Sequence, residues 1–145
     1  MSPVPFATTL LVRDTCLCLH TQRAARLLAR RFDEALRPHG LTSGQFSLLM
    51  ALNRPAPPRM GAVAGLLAMD RTTLTAALKP LERRGLVLVE QDPADRRSRL
   101  LELTPAGLEV LAQAVPVWRG VHAELDAALP EGGPDALRRG LAALG

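Results

Sequence analysis

The sequence predicts a mainly α-helical chain that carries one small β-hairpin. Three observations support this. Apolar residues recur at helical spacing over most of the length, the period changes to alternation only between Leu86 and Leu103, and a proline, a glycine or a capping side chain stands at nearly every change of pattern. At 145 residues the chain suits one domain that buries roughly two-thirds of its unfolded surface, with no second independent core.

Taken in order, Leu10 to Leu36 places Leu17, Leu19, Ala24, Leu27, Leu28, Phe32 and Leu36 along one face with arginines between them, the pattern of a long amphipathic helix. Pro38-His39-Gly40 stops it. Thr42 or Ser43 caps a second helix through Leu52, and the proline-rich stretch Asn53–Arg59 is a rigid connector. Met60 to Ala68 is a short apolar helix, Met69-Asp70 a tight turn, and Asp70 the cap of a helix from Arg71 to Arg84 that ends at Gly85. Pro80 falls inside that helix, where it removes the hydrogen bond to Ala76 and predicts a kink between an outward-facing first half and a core-facing second half. Leu86-Val87-Leu88-Val89 and Ser98 to Leu103 are strands, and Asp92-Pro93-Ala94-Asp95 supplies the turn. Thr104-Pro105 opens a long helix toward Leu129, with Pro116 expected to bend it, and a last short helix starts at Pro134.

Two short helices joined by a turn, the second running directly into a charged hairpin, make a winged helix-turn-helix over residues 42–104. The hairpin concentrates Arg96, Arg97 and Arg99 at its tip, with Asp92 and Asp95 placed to order the turn. A charged tip standing alone is ordinarily just solvated. The helix before it changes the balance, because Arg71, Thr72, Thr73 and Thr75 gather in its first turns and Lys79 follows two turns on. Such side chains can donate to phosphates and base edges in a major groove about 12 Å wide, while a projecting arginine reaches the narrower minor groove beside it. The whole chain carries a formal charge of +4 and an isoelectric point near 10.4, a modest attraction for polyanions.

The stretch DRTTLTAALKPLERRGLVLVEQDPADRRSRLLELTPAG, Asp70 to Gly107, resembles the recognition helix and wing of MarR-family transcription regulators. GLTSGQFSLLMAL resembles the helix that precedes their DNA-reading pair, and the likeness runs from about Leu17 to Trp118. Its most specific part is Asp95-Arg96-Arg97-Ser98 followed by Leu103-Thr104 and Gly107. The resemblance implies Arg97 at the wing tip in the minor groove with Asp95 supporting it. It also implies a homodimer built from the terminal helices, and double-stranded, near-palindromic operator DNA read one half by each recognition helix. A repressor follows as the expected function, its operator affinity changed by a ligand or by thiol oxidation.

The residues themselves also favour a dimer. Helices Leu10–Leu36, Leu108–Leu129 and Asp135–Leu144 have apolar faces that a small central lobe cannot cover, so segments 1–38 and 106–145 are expected to form a dimerisation lobe with a second copy. The alternative is a monomer with these helices folded back. Cys16 and Cys18, two apart on the expected helix, point about 200° apart and cannot comfortably share a bond or a metal, whereas Cys16 and His20 share a face. Peroxide-sensing MarR-family members carry a reactive cysteine near this point together with tyrosines, and this chain has no tyrosine. Phe46, Trp118, His122 and His20 are candidates to line a small-molecule effector pocket, against plain core roles for Phe46 and Trp118.

Enzyme chemistry finds no support. Three histidines, two cysteines and no phosphate-cradling glycine loop give no triad, paired-carboxylate or metal-ligand spacing, so no catalytic residue, metal or cofactor is expected. The N-terminus lacks a signal-peptide pattern and no run approaches the roughly eighteen apolar residues of a membrane span, which predicts a cytoplasmic protein without a membrane partner. A winged helix that binds a protein partner and leaves DNA alone is the competing function, and it has no need of Arg97 or the threonines.

Overall fold

The computed structural model describes residues 2–145. Its helices are α1 (Phe6–Thr15), α2 (Leu17–Leu36), α3 (Ser43–Leu52), α4 (Met60–Leu66), α5 (Arg71–Arg83), α6 (Pro105–Ala128) and α7 (Gly133–Ala142). An antiparallel hairpin of β1 (Val87–Asp92) and β2 (Asp95–Leu103) separates α5 from α6.

The long first helix expected from Leu10 to Leu36 is two helices. Cys16 takes an extended conformation (φ −69°, ψ 110°), closing α1 with an N–H bond to the Val12 carbonyl and capping α2 as its Sγ accepts from the Leu19 N–H at 3.4 Å. The His20 ring Nε2 bonds the carbonyls of Arg13 and Asp14, at 3.1 and 3.2 Å, so the end of α1 is satisfied from the next helix. Cys16 therefore does not lie on a helical face shared with His20 or opposite Cys18.

A 3₁₀ turn at Arg37–His39 and Gly40 in the left-handed region (φ +70°) lead into α3, where Thr42 and Gln45 form a reciprocal capping box. The reversal between α4 and α5 sits at Ala68 (φ +52°), one residue before the expected Met69-Asp70 turn. α5 stays one helix across Pro80. Leu74, Leu78 and Leu81 form a single buried face on both sides of the proline, so the expected division into an outer and an inner half does not occur. α6 likewise continues through Pro116.

The hairpin is longer than expected, because β2 starts at Asp95 and pairs in register from Val87↔Leu103 to Gln91↔Arg99. A one-residue third strand was not foreseen: Arg59 bridges Leu100, and the Leu101 N–H donates to the Pro58 carbonyl at 2.9 Å. The core is continuous through Leu36, Leu49, Val63, Leu74, Leu78, Leu81, Val87 and Leu101. At the base of the hairpin the Thr104 hydroxyl donates to the Gly85 carbonyl (2.6 Å) and accepts from the Gly107 N–H (3.0 Å), while the Thr104 N–H donates to the Leu86 carbonyl. Gly107 packs so close that a β-carbon there would collide with the Leu86 carbonyl oxygen. α1 and α7 bury no residue in the single chain, and Phe6, Leu11, Leu27, Leu137 and Leu141 stand exposed.

Two stability measurements check this junction and the start of α5. In urea unfolding, Thr104→Val should cost about 1–2 kcal/mol through the lost cap and the orphaned Gly85 carbonyl, and Gly107→Ala about 1–3 kcal/mol through forced separation of α6 from the hairpin base. At α5, the Thr73 N–H and hydroxyl both donate to the Asp70 carboxylate (2.7 and 2.9 Å) and hold its pKa below the ordinary 3.8. A depressed folded pKa means stability present above the unfolded value and lost as pH falls through the folded one. The Tm difference between wild type and Asp70→Ala should therefore be constant above pH ~5 and shrink in more acidic solution; an unchanged difference there would show that charge has no part in the cap.

Candidate nucleic-acid interface

The face of α5 opposite its leucines carries Thr72, Thr75, Ala76 and Lys79 at the i, i+3, i+4, i+7 spacing of one helical stripe. The stripe faces an open groove of about 660 Å³, whose other wall is the hairpin, with Val89, Arg96, Arg97 and Arg99, and whose floor is Met60 at the start of α4. Arg71 stands at its end. Five cationic side chains thus line one concavity built jointly by a helix and a projecting hairpin.

Most of the predicted interface residues come together there, and two do not. Thr73 lies outside the groove with its hydroxyl donated to Asp70. Asp95 sits at the tip but supports Arg97 through the backbone, its Oδ1 accepting the Arg97 N–H at 3.0 Å. The Arg99 guanidinium bends back onto the carbonyls of Arg96 and Ser98, and the Gln91 amide also donates to the Arg96 carbonyl, which stiffens the tip.

Asp92 does more than order the turn. Its buried carboxylate accepts the Ala94 N–H (2.9 Å) and pairs with the half-exposed Arg59 guanidinium at 3.1 Å, tying the wing to the connector before α4. Sequence reasoning missed Arg59, because a one-residue strand has no period. It also missed Ala76 and Val89; Ala76 was recoverable from the stripe, four residues after Thr72.

The residues proposed for an effector site divide into two places. Phe46 and Trp118 stack with centroids 6.3 Å apart and line a mostly apolar cavity of about 450 Å³ with Met50, Leu66, Leu67 and Arg119. His122 packs beside Trp118 at 4.8 Å, outside that cavity, with its Nδ1 3.4 Å from Asp126. Cys16 and His20 are elsewhere, at the α1–α2 junction, so they do not join Phe46 and Trp118 in one pocket. Both cysteines are free thiols, Cys16 partly buried and Cys18 exposed. Among the described residues, no helix is long and apolar enough to cross a membrane.

Comparison with known proteins agrees with this architecture. Residues 41–98 match the model of the MarR family. The transcriptional regulator MosR of M. tuberculosis, crystallised with DNA, is 42% identical and superposes with a TM-score of 0.82 over 90% of this chain and 93% of that one. The transcriptional repressor CouR, bound to a 23-mer DNA duplex, is 29% identical, with a TM-score of 0.80 over 99% of both chains. BadR of Rhodopseudomonas palustris, a transcriptional activatory protein, is 37% identical over 109 residues, which make up 71% of this chain but only 61% of BadR. A winged helix of this form, matched to MosR over nine-tenths of both chains, decides the assignment: the chain belongs to the MarR family of transcription regulators.

Proposed function

We propose that this regulator is a homodimeric repressor that binds a near-palindromic operator, each copy laying α5 in the major groove and the wing tip in the flanking minor groove. The groove shared by α5 and the hairpin, lined by Arg71, Lys79, Arg96, Arg97 and Arg99, is the observation that carries the reading. Cations on a helix face supply phosphate contacts, and an arginine on a narrow projection suits the more negative minor groove. MosR and CouR, both crystallised with DNA, support the partner. The uncovered apolar faces of α1, α2 and α7 support the dimer, since a second copy is the economical cover. As a reader of chromosomal DNA it would work in the cytoplasm.

Two devices are proposed to release it. An effector in the cavity beside Phe46 and Trp118 would contact α3, α4 and α6 at once and alter how the DNA lobe sits on the long helix. Alternatively, oxidation of Cys16 would disturb the joint between α1 and α2, where its sulfur caps the second helix.

Fluorescence anisotropy on the duplex upstream of its own gene, titrated with salt against an unrelated duplex, tests the reading. Nanomolar preference with a steep salt slope is expected; equal weak binding to both would favour a protein partner for the wing. Arg97→Ala should weaken binding by about 1–3 kcal/mol with fold and dimer intact, and unchanged affinity would sink the wing assignment. Cys16→Ser should bind as wild type in reducing buffer. If peroxide then no longer releases that variant, the thiol is the trigger; if release persists, it is not.

A further inference from the structure

The three threonines of α5 are spaced as hydrogen-bond donors, yet the hydroxyls of two of them, Thr73 and Thr75, are already engaged. Thr73 donates to Asp70 at 2.9 Å. Thr75 donates to the Arg71 carbonyl one turn back at 2.8 Å, and its oxygen lies 3.7 Å from the buried Met60 sulfur. A threonine that back-bonds in this way turns its oxygen toward its own helix and leaves the methyl as the outward group. Thr75 is nonetheless exposed, lines the groove, and has the exposed methyl of Ala76 beside it on the same stripe. The centre of the DNA-facing stripe is thus a small apolar patch, flanked by the polar ends Arg71, Thr72 and Lys79.

We propose that Thr75, with Ala76, determines sequence specificity by packing its methyl against the C5 methyl of a thymine, and does not act as a hydrogen-bond donor to a base. In the major groove only thymine presents a methyl, and apolar contact is the way a protein distinguishes it. The donors that fix the register are then Arg71, Thr72 and Lys79, and the methyl patch sets the base between them. This inference rests on α5 being the DNA-reading helix.

Selection from a random duplex pool, followed by scanning each thymine of the enriched sequence with deoxyuridine, separates the two roles. Wild type should show one thymine per half-site whose replacement weakens binding roughly fourfold, the factor a single buried methyl group is worth. Thr75→Val, which keeps the methyl and removes the hydroxyl, should retain both the preference and the deoxyuridine sensitivity. Thr75→Ser, which keeps the hydroxyl and removes the methyl, should lose that sensitivity at the same position. The opposite pattern, with serine conservative and valine disruptive, overturns the proposal in favour of a donated hydrogen bond, and so does a scan in which no position depends on Thr75. If the wild-type protein enriches no sequence at all, the assignment of α5 as the reading helix falls first and takes this inference with it.

Discussion

Everything the outer surface of this protein offers depends on one buried line of leucines. Leu74, Leu78 and Leu81 are almost wholly inaccessible, and they pack into the core that also holds Val87 and Leu101 of the hairpin. Burying each such side chain is worth about 1.5–3 kcal/mol, enough to fix the rotation of α5 about its axis. Once that rotation is fixed, Thr72, Thr75, Ala76 and Lys79 have only one direction left to face. The hairpin leaves α5 after Arg84, Gly85 and the buried Leu86 alone, so its angle to the helix is set by the same core. The groove between them is therefore a by-product of packing behind it, and its shape is determined before any partner arrives.

The charge in that groove is held there against its own repulsion. Five cations in one concavity raise the local potential, which the folded chain tolerates because the side chains remain solvated and because the backbone beneath them is pinned. The pinning is done by three acids that hold the backbone: Asp70 at the start of α5, Asp92 under the turn, and Asp95 on the Arg97 amide. Each accepts a backbone N–H, which shapes the chain, and leaves the arginine charges of the tip unneutralised.

The features that follow from a repeating pattern could be read from the sequence. The helices α3 to α6, the hairpin and its charged turn all announce themselves by period, cap or breaker. What escaped depends on single side-chain choices that carry no period. Nothing between Leu11 and Leu19 forbids a continuous helix; the break at Cys16 depends on a sulfur cap and on His20 reaching back to the carbonyls of α1. The predicted pairing of Cys16 with His20 fell with the helix that implied it. Thr73 and Thr75 look alike as residue types, but Thr75 lines the groove and bonds the Arg71 carbonyl, whereas Thr73 lies outside it and donates to Asp70. Phe46 and Trp118 were recoverable because aromatic residues are so few here, whereas His20 shared only their residue class and not their location.

The single-residue strand at Arg59 alters the mechanics of the wing. By bridging Leu100, and by pairing its guanidinium with Asp92, it makes the lower part of the hairpin a three-ply strip clamped to the connector before α4. Beyond Leu100 the hairpin continues as two strands from Arg99 to the turn at Asp95, with the Asp92 end of β1 still held by Arg59. The four steps from Arg99 to Asp95 span roughly 13 Å. Held both at Leu100 and at Asp92, that short projection keeps little conformational freedom of its own, so its shape is set by the fold and not by what it meets.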